Sequence, residues 1–203
     1  MSRTTRRRAQ TRERLLDAAL EVFAEVGFGR STVEQVCDRA GYTRGAFYSN
    51  FTSLDELFLA MWEQRSRAML AGVRAMAEQA AQADVRNVRD VVEHVLRAVP
   101  LEDAWYRVTA EFTAHALRNP SLRRVMVARE EAIRAAITPV VEGLLRRVGR
   151  SVPDPVALGQ ALVAVHDGTA VQCLMEPADP EVRRRRLDLF VQVVMAYSEE
   201  GRS

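Results

Sequence analysis

The chain has 203 residues and a formal net charge of +2, and its hydrophobic content of 48% includes no long uncharged apolar run. This length allows one or two small domains with a hydrophobic core, and the composition favours a globular protein over a membrane-spanning one. Few prolines, glycines and aromatic residues, with abundant Ala, Leu, Arg, Glu and Val, predict an all-α fold.

The N-terminus is basic, because five arginines precede the first acidic residue, Glu13: Arg3, Arg6, Arg7, Arg8 and Arg12. Residues 1–8 form a basic arm, for which two interpretations are open. The arm either tracks phosphates or enters a minor groove of DNA, or it is a disordered solubilising tail. No apolar stretch follows the arginines, so the arm is not a secretory signal and we expect a cytoplasmic protein.

A first amphipathic helix is predicted from about Thr11 to Val26, ended by Gly27. The glycine-rich tract that follows, residues 27–29, lacks a preceding strand and a third glycine. We therefore interpret it as a turn and not as a nucleotide-binding loop.

Two short helices separated by a glycine are predicted over residues 32–51. Either Ser31 with Glu34 or Thr32 with Gln35 fits a capping box, so the first short helix begins near Thr32. Gly41 can adopt the left-handed conformation that ends it. The pattern is that of a helix-turn-helix whose second helix, from Thr43 to about Phe51, is shaped for a major groove.

The predicted outward face of the second short helix carries polar and flexible residues that suit phosphate oxygens and base edges. Ala46, Phe47 and Phe51 form its buried stripe. We predict that DNA is contacted by this face, by the start of the first short helix and by the arm: Thr43, Arg44, Gly45, Tyr48, Asn50, Thr32, Arg6, Arg7 and Arg8.

The first third of the chain resembles the DNA-binding domain of the TetR family of bacterial transcriptional regulators over Thr11 to Phe58, TRERLLDAALEVFAEVGFGRSTVEQVCDRAGYTRGAFYSNFTSLDELF. The specific parts are AALEVFAEVGF, the AG turn, and TRGAFYSNF with the capped helix after it. The resemblance implies a homodimeric, all-helical repressor with a ligand-receiving C-terminal domain. Many members carry a phosphate-contacting lysine just after the cap of the fourth helix. This chain has Leu54 there, so that contact is not carried over.

Three parts are expected in the chain: the arm at 1–8, a DNA-binding domain at 9–69, and a ligand-binding and dimerisation domain at 70–203. The Ser53–Glu56 capping box opens a long helix toward about Gln82. Five more helices are expected at 84–98, 101–118, 120–148, 155–175 and 180–198, which gives nine in all. Asx-Pro pairs begin the last three, and Pro139 should kink or split the third. No strand pattern of useful length is visible.

Within the last two predicted helices, residues 156–171 and 187–197 are apolar on almost every side, which indicates burial nearly all round. Such helices suit either the core of a monomer or a position between the core and a partner subunit. The TetR resemblance favours dimerisation through these helices as a four-helix bundle. The predicted interface residues are Leu162, Phe190 and Val194.

Two carboxylate-histidine pairs lie four residues apart, Asp90 with His94 and Glu111 with His115. Two such pairs on adjacent helices could bind a divalent metal, but amphipathic surface helices form them often. The sequence has no HExxH pattern, nucleophile elbow or phosphate-binding loop. We therefore predict no metal, no cofactor and no catalytic site, with a helical enzyme or scaffold as the alternative class.

A set of aromatic, methionine and histidine residues could line a ligand pocket, although aromatics at helical spacing are typical of a core. The residues are Trp62, Trp105, Phe112, His115, Met126 and His166. The cavity itself is implied by the resemblance. The predicted function is a dimeric repressor of a pseudo-palindromic DNA operator that an apolar small molecule releases. The alternatives are an activator and a ligand-independent DNA-binding regulator.

Overall fold

The computed structural model describes residues 3–80, 84–99 and 101–201. In these ranges it has nine α-helices: α1 (Arg3–Val26), α2 (Val33–Ala40), α3 (Arg44–Tyr48), α4 (Leu54–Ala80), α5 (Val88–Ala98), α6 (Asp103–Ala116), α7 (Pro120–Arg147), α8 (Pro155–Met175) and α9 (Pro180–Ala196). A 3₁₀ turn occupies Phe28–Arg30, and two short strands are β1 (Arg150–Ser151) and β2 (Glu199–Glu200). The all-α expectation is confirmed.

Side-chain caps define where several helices begin. The side chains of Asn87, Asp154 and Asp179 accept hydrogen bonds from the first backbone amides of α5, α8 and α9. Proline occupies the first position of α8 and α9, where no intrahelical amide bond is needed, and α7 also begins at a proline, Pro120. The predicted Asx-Pro starts are therefore present in the fold.

Two helices differ from their predicted form. α1 begins at Arg3 rather than near Thr11, since residues 3–10 contain no glycine or proline to interrupt a helix. α7 is not split, because it runs from Pro120 to Arg147 with Pro139 inside it. Pro139 and Ala135, whose carbonyl loses its amide partner, are both exposed, so water can satisfy that carbonyl.

A two-stranded antiparallel ladder joins β1 to β2 near the C-terminal end of the described chain. Arg150 Nε donates to Ser198 Oγ at 2.8 Å and reinforces the pairing. Strands of two residues carry no periodic pattern, which is why the sequence did not indicate them.

The described residues group into two compact units. Unit 1 holds the chain up to Arg67 together with Glu102–Arg123, and unit 2 holds Ala68–Leu101 and the chain from Arg124 onward. The predicted domain boundary at 69 lies close to the end of the first segment of unit 1. Because unit 1 also takes in Glu102–Arg123, α6 belongs with α1, α2 and α3 although it lies far from them in sequence.

The core of unit 1 is rich in phenylalanine. α1 packs against both α2 and α6, and large side chains of α1, α3, α4 and the segment that joins α3 to α4 are fully or almost fully buried. They include Phe23, Phe47, Phe51, Leu57 and Phe58.

The core of unit 2 is aliphatic and is built from α5, α7, α8, α9 and the last part of α4. Its most buried side chains include Val91, Leu144, Leu145 and Leu158. α8 approaches α7 closely, since a Cβ added at Gly159 would lie 2.7 Å from Thr138 Oγ1. This close packing explains the small residue at that position.

Candidate nucleic-acid interface

The segment from Thr32 to Tyr48 folds as a capped helix-turn-helix. Thr32 is the N-cap of α2, and its side chain and that of Gln35 form both halves of the capping box. Gly41 ends α2 in the left-handed conformation, with φ of 72°. Thr43 then caps α3, because its Oγ1 accepts from the Ala46 amide at 3.2 Å. Of the two predicted capping boxes, the one with Thr32 and Gln35 is formed.

The two faces of α3 differ sharply in exposure. Phe47 is 0% exposed and packs near Phe51, whereas Tyr48, whose ring meets the Phe47 ring edge to face at 5.2 Å, is 51% exposed. Thr43, Arg44 and Gly45 are exposed as well. A Cβ added at Gly45 would meet only Thr43 Oγ1, at an ordinary 3.7 Å. Packing inside the protein therefore does not require glycine at 45, and the surface beside it is open to an approaching molecule.

Arg44 has a partner that the sequence did not reveal. Its Nη1 lies 2.7 Å from Glu34 Oε1 of α2, and both side chains are more than half exposed. Exposed ion pairs are weak, so a stronger anion can replace Glu34. The positions of Glu34 and Arg44 in the first turns of adjacent short helices are the sequence feature that could have indicated this ion pair.

Asn50 does not belong to the outward face, which corrects its predicted position. Its Nδ2 donates to the Ala46 carbonyl at 2.8 Å and to Ser49 Oγ at 3.2 Å, and the residue is half-buried. Asparagine caps the end of a short helix well because its amide can reach the last carbonyls. Asn50 therefore closes α3.

The basic arm is helical where it is described, as the first turns of α1. Arg6, Arg7 and Arg8 are exposed. Arg8 Nη2 donates to the Ser49 carbonyl at 2.9 Å, and the Arg12 guanidinium lies 5.1 Å from the centre of the Phe51 ring. These contacts fix the start of α1 against the end of α3, so the exposed arginines and α3 share one surface of unit 1.

Four of the six predicted pocket residues lie in unit 1, where they pack against other rings. Trp62 stands 4.8 Å from Trp105 and 4.6 Å from Phe112 between ring centres, and Trp62 and Phe112 are 2% and 3% exposed. His115 is exposed and lies 6.2 Å from the Phe28 ring. In the described structure Trp62 and Phe112 therefore belong to the core of unit 1, whereas His115 does not.

The other two predicted pocket residues, Met126 and His166, lie in unit 2. Met126 is buried. His166 belongs to a polar cluster on α8 and α9: Arg186 is 6% exposed, donates from Nη2 to His166 Nδ1 at 2.9 Å, and donates from Nη1 to Thr169 Oγ1. Burial, with the charges of Arg186 and Arg129, lowers the pKa of His166 to about 4. His166 is therefore neutral near pH 7, with Nδ1 as an acceptor.

The three predicted dimer residues lie in the core of unit 2, so they are already covered within the single chain. Leu162, Phe190 and Val194 are 6%, 5% and 1% exposed and belong to the aliphatic core. Other large apolar side chains on α8, on α9 and on the residue after α9 are exposed. They are Val156, Met175, Leu189, Met195 and Tyr197. The sequence does not separate the covered apolar residues of these helices from the exposed ones, because helical spacing alone does not show which apolar face the rest of the chain covers.

Both carboxylate-histidine pairs have other contacts. Asp90 Oδ2 accepts from the Arg86 amide at 2.9 Å, and Glu111 accepts from two backbone amides near the 3₁₀ turn. In the part of the chain that the structure describes, no group of three or more His, Cys, Asp or Glu residues could hold a metal ion. Among the same residues, no helix has the length and apolar character that crossing a lipid bilayer requires.

Two family models match the chain. Residues 15–61, a range that contains α2 and α3, match the model for bacterial regulatory proteins of the tetR family. Residues 84–198 match the model for the C-terminal part of BetI-type transcriptional repressors, which is more than half of the chain.

Curated relatives share this assignment. The chain is 31% identical over 176 residues to the HTH-type transcriptional repressor Rv1474c of Mycobacterium tuberculosis, across 78% of this chain and 90% of that protein. It is also 31% identical over 105 residues to the HTH-type transcriptional regulator AcrR of Shigella flexneri, across 51% of this chain and 48% of AcrR. The matched region thus spans about half the length of AcrR.

Solved structures have the same fold. A TetR-family transcriptional regulator from Mesorhizobium loti superposes with a TM-score of 0.76 at 16% identity, over 97% of each chain. SmeT, the repressor of the Stenotrophomonas maltophilia multidrug efflux pump SmeDEF, superposes in its complex with triclosan at 0.67 and 21% identity, over 95% of this chain and 93% of SmeT. The chain belongs to the TetR family of bacterial regulatory proteins.

Proposed function

We propose that this protein is a ligand-responsive transcriptional repressor that binds a pseudo-palindromic DNA operator as a homodimer in the bacterial cytoplasm. The observation that carries the proposal is the capped α2–α3 unit, in which Phe47 is buried and Thr43, Arg44, Gly45 and Tyr48 are exposed. A helix of this kind enters the major groove, where arginine reads guanine and small residues allow close approach.

Phosphate contacts are assigned to the residues around this helix. Thr32 lies at the start of α2, where the helix dipole and its first free amides favour a negatively charged group. Arg6, Arg7 and Arg8 lie on the exposed start of α1, and Arg8 reaches the end of α3. These groups would fix the register of α3 on the duplex without reading sequence.

The homodimer is assigned to the exposed apolar side chains of α8, α9 and the residue after α9. Val156, Met175, Leu189, Met195 and Tyr197 are each at least 40% exposed in the single chain, although large apolar side chains are usually covered. A second copy would cover them and form a closed, two-fold interface. Two α3 helices related in this way suit two operator half-sites in successive major grooves, about 34 Å apart.

The effector is proposed to be a small, mostly apolar molecule that favours a form of the dimer unable to bind the operator. Support comes from the SmeT complex with triclosan and from the family assignment. The coupling requires only a few kcal/mol of differential affinity between two forms. The proposed effector contacts in unit 2 are Met126 and His166.

The test is a selection of genomic fragments from the source organism with purified full-length protein, followed by footprinting of the recovered sites. We expect a protected pseudo-palindrome upstream of a gene and reduced transcription from that promoter when protein is added. Recovery of no preferred sequence would refute operator binding. Increased transcription would instead make the protein an activator.

A further inference from the structure

A carboxylate of α6 holds the turn between α1 and α2. Glu111 Oε2 accepts from the Phe28 backbone amide at 2.8 Å, and Glu111 Oε1 accepts from the Gly29 amide at 3.1 Å. Both amides lie in the first residues of the 3₁₀ turn, where no preceding turn supplies carbonyl partners. Hydrogen bonds from neutral amides to an ionised carboxylate are stronger than bonds between neutral groups.

The turn is shaped to receive this carboxylate. Gly27 has φ of 85°, a backbone conformation that side chains strongly disfavour. A Cβ added there would lie 3.2 Å from Glu111 Oε2 and 3.4 Å from Oε1. Glycine at 27 thus meets two needs at once, the left-handed backbone and the close approach of Glu111.

One helical turn earlier on α6, Arg107 contacts the other side of the same junction. Its Nη1 donates to the Ala24 carbonyl in the last turn of α1 at 3.3 Å. The cation of α6 therefore faces the negative end of α1, while the anion four residues later faces free amides. Arg107 and Glu111 of α6 thus contact the α1–α2 junction with charges opposite to those of the backbone groups they meet, and all of these residues lie within unit 1.

The junction leads directly into the helix-turn-helix. Ser31 Oγ donates back to the Gly27 carbonyl at 2.7 Å, and Thr32, the next residue, caps α2. Fixing residues 27–31 therefore fixes where α2 begins and, through the short turn at Gly41, where α3 lies relative to α1. Misplacement by about 1 Å is enough to disrupt precisely oriented contacts.

We propose that Glu111 is a positioning residue for operator recognition, which acts from α6 by ordering the turn that precedes α2. It touches no DNA in this scheme. The inference rests on the proposed function, because it concerns how well α2 and α3 are placed for the operator.

The test compares Glu111→Ala, Glu111→Gln and the control Glu131→Ala, which removes an exposed glutamate of α7 in unit 2. Operator affinity is measured with the selected genomic fragment and with a scrambled duplex of equal length. Backbone hydrogen exchange is measured at residues 27–31, and the dimer is checked by sedimentation.

We expect faster exchange at Phe28 and Gly29 in Glu111→Ala and a loss of operator affinity of about tenfold, with a smaller loss on the scrambled duplex. Glu111→Gln keeps one acceptor oxygen and should lie between wild type and Glu111→Ala. Glu131→Ala should match wild type in both measurements.

Two results would overturn the inference. One is operator affinity in Glu111→Ala equal to that of wild type. The other is an equal loss on operator and scrambled DNA, which would indicate a general loss of structure. A failure of the proposed function looks different, because wild type itself would then select no fragment.

Discussion

Arg186 and His166 form a buried contact between α9 and α8, in which Arg186 Nη2 donates to His166 Nδ1 at 2.9 Å. The guanidinium remains charged, so the bond exists only while His166 is neutral. A proton on His166 would place two cations side by side in the interior of unit 2. This contact therefore ties the stability of unit 2 to pH.

The first prediction is that the free energy of unfolding decreases as pH falls from about 6.5 to about 4. The pKa of His166 is lowered from 6.5 in the unfolded chain to about 4 in the fold, first by burial and then by Arg186 and Arg129. The neutral form stabilises the fold fully above pH 6.5, and this stability is lost toward the folded pKa. The loss approaches roughly 2–3 kcal/mol.

Denaturant titrations of wild type and His166→Asn across this pH range measure the effect. The asparagine oxygen can replace Nδ1 as an acceptor but does not titrate. Asp167, whose pKa is raised by burial and by Glu130, acts in the opposite direction and is present in both proteins. Equal pH dependence in the two proteins would show that His166 does not carry it.

A second prediction concerns Glu34, which holds Arg44 at 2.7 Å in the free protein. Glu34→Gln should tighten operator binding several-fold, since it frees Arg44 and removes a negative charge near DNA phosphates. Fluorescence anisotropy with the selected fragment measures this, with Glu131→Gln as a control of equal charge. Weaker binding by Glu34→Gln would mean that the ion pair orients Arg44 for DNA and does not compete with it.

The third prediction is that the arginines at the start of α1 neutralise phosphates. Replacing Arg6 and Arg7 by alanine should reduce the slope of log affinity against log salt by about 0.9 for each phosphate that the protein no longer neutralises. Arg8→Ala should in addition weaken binding through α3, because Arg8 donates to the Ser49 carbonyl. An unchanged slope in the Arg6 and Arg7 variant would leave these residues without a role in DNA binding.

A fourth prediction places the dimer contact on the exposed apolar side chains. Leu189 is 40% exposed, whereas Phe190 beside it is 5% exposed. Leu189→Glu should give a folded monomer, and Phe190→Glu should destabilise unit 2, because it replaces a buried ring that lies under the Arg186 guanidinium by a buried carboxylate. Sedimentation with circular dichroism separates these outcomes, and Leu117→Glu on the residue after α6 is the control. A Leu189→Glu protein that stays dimeric would exclude Leu189 from the interface.

Local signals predicted much of the fold. The Thr32–Gln35 capping box, the left-handed Gly41 and the Asx-Pro pairs before α8 and α9 depend on neighbours within a few residues. Such features are determined by residues that are close in sequence, and the structure has them at the predicted positions. The sequence does not locate the start of α1, because residues 3–10 have helix-forming side chains but no capping signal.

Features that depend on distant residues could not be predicted from the sequence. Glu111 meets Phe28 across 83 positions of sequence, and Arg89 pairs with Asp188 across 99. Likewise, the sequence alone does not show that Leu162 and Phe190 are covered within unit 2 while Leu189 is exposed. The sequence also does not determine the role of Asn50, because an asparagine near a helix end can face outward or close the helix.

The most direct measurement of operator recognition is an anisotropy titration of wild type and Arg44→Ala on the selected fragment and on fragments with single base-pair changes in each half-site. Wild type should discriminate between these fragments, and Arg44→Ala should lose about 1–3 kcal/mol of binding and relax specificity at one position per half-site. Identical affinities for wild type and Arg44→Ala on every fragment would contradict recognition of DNA by α3.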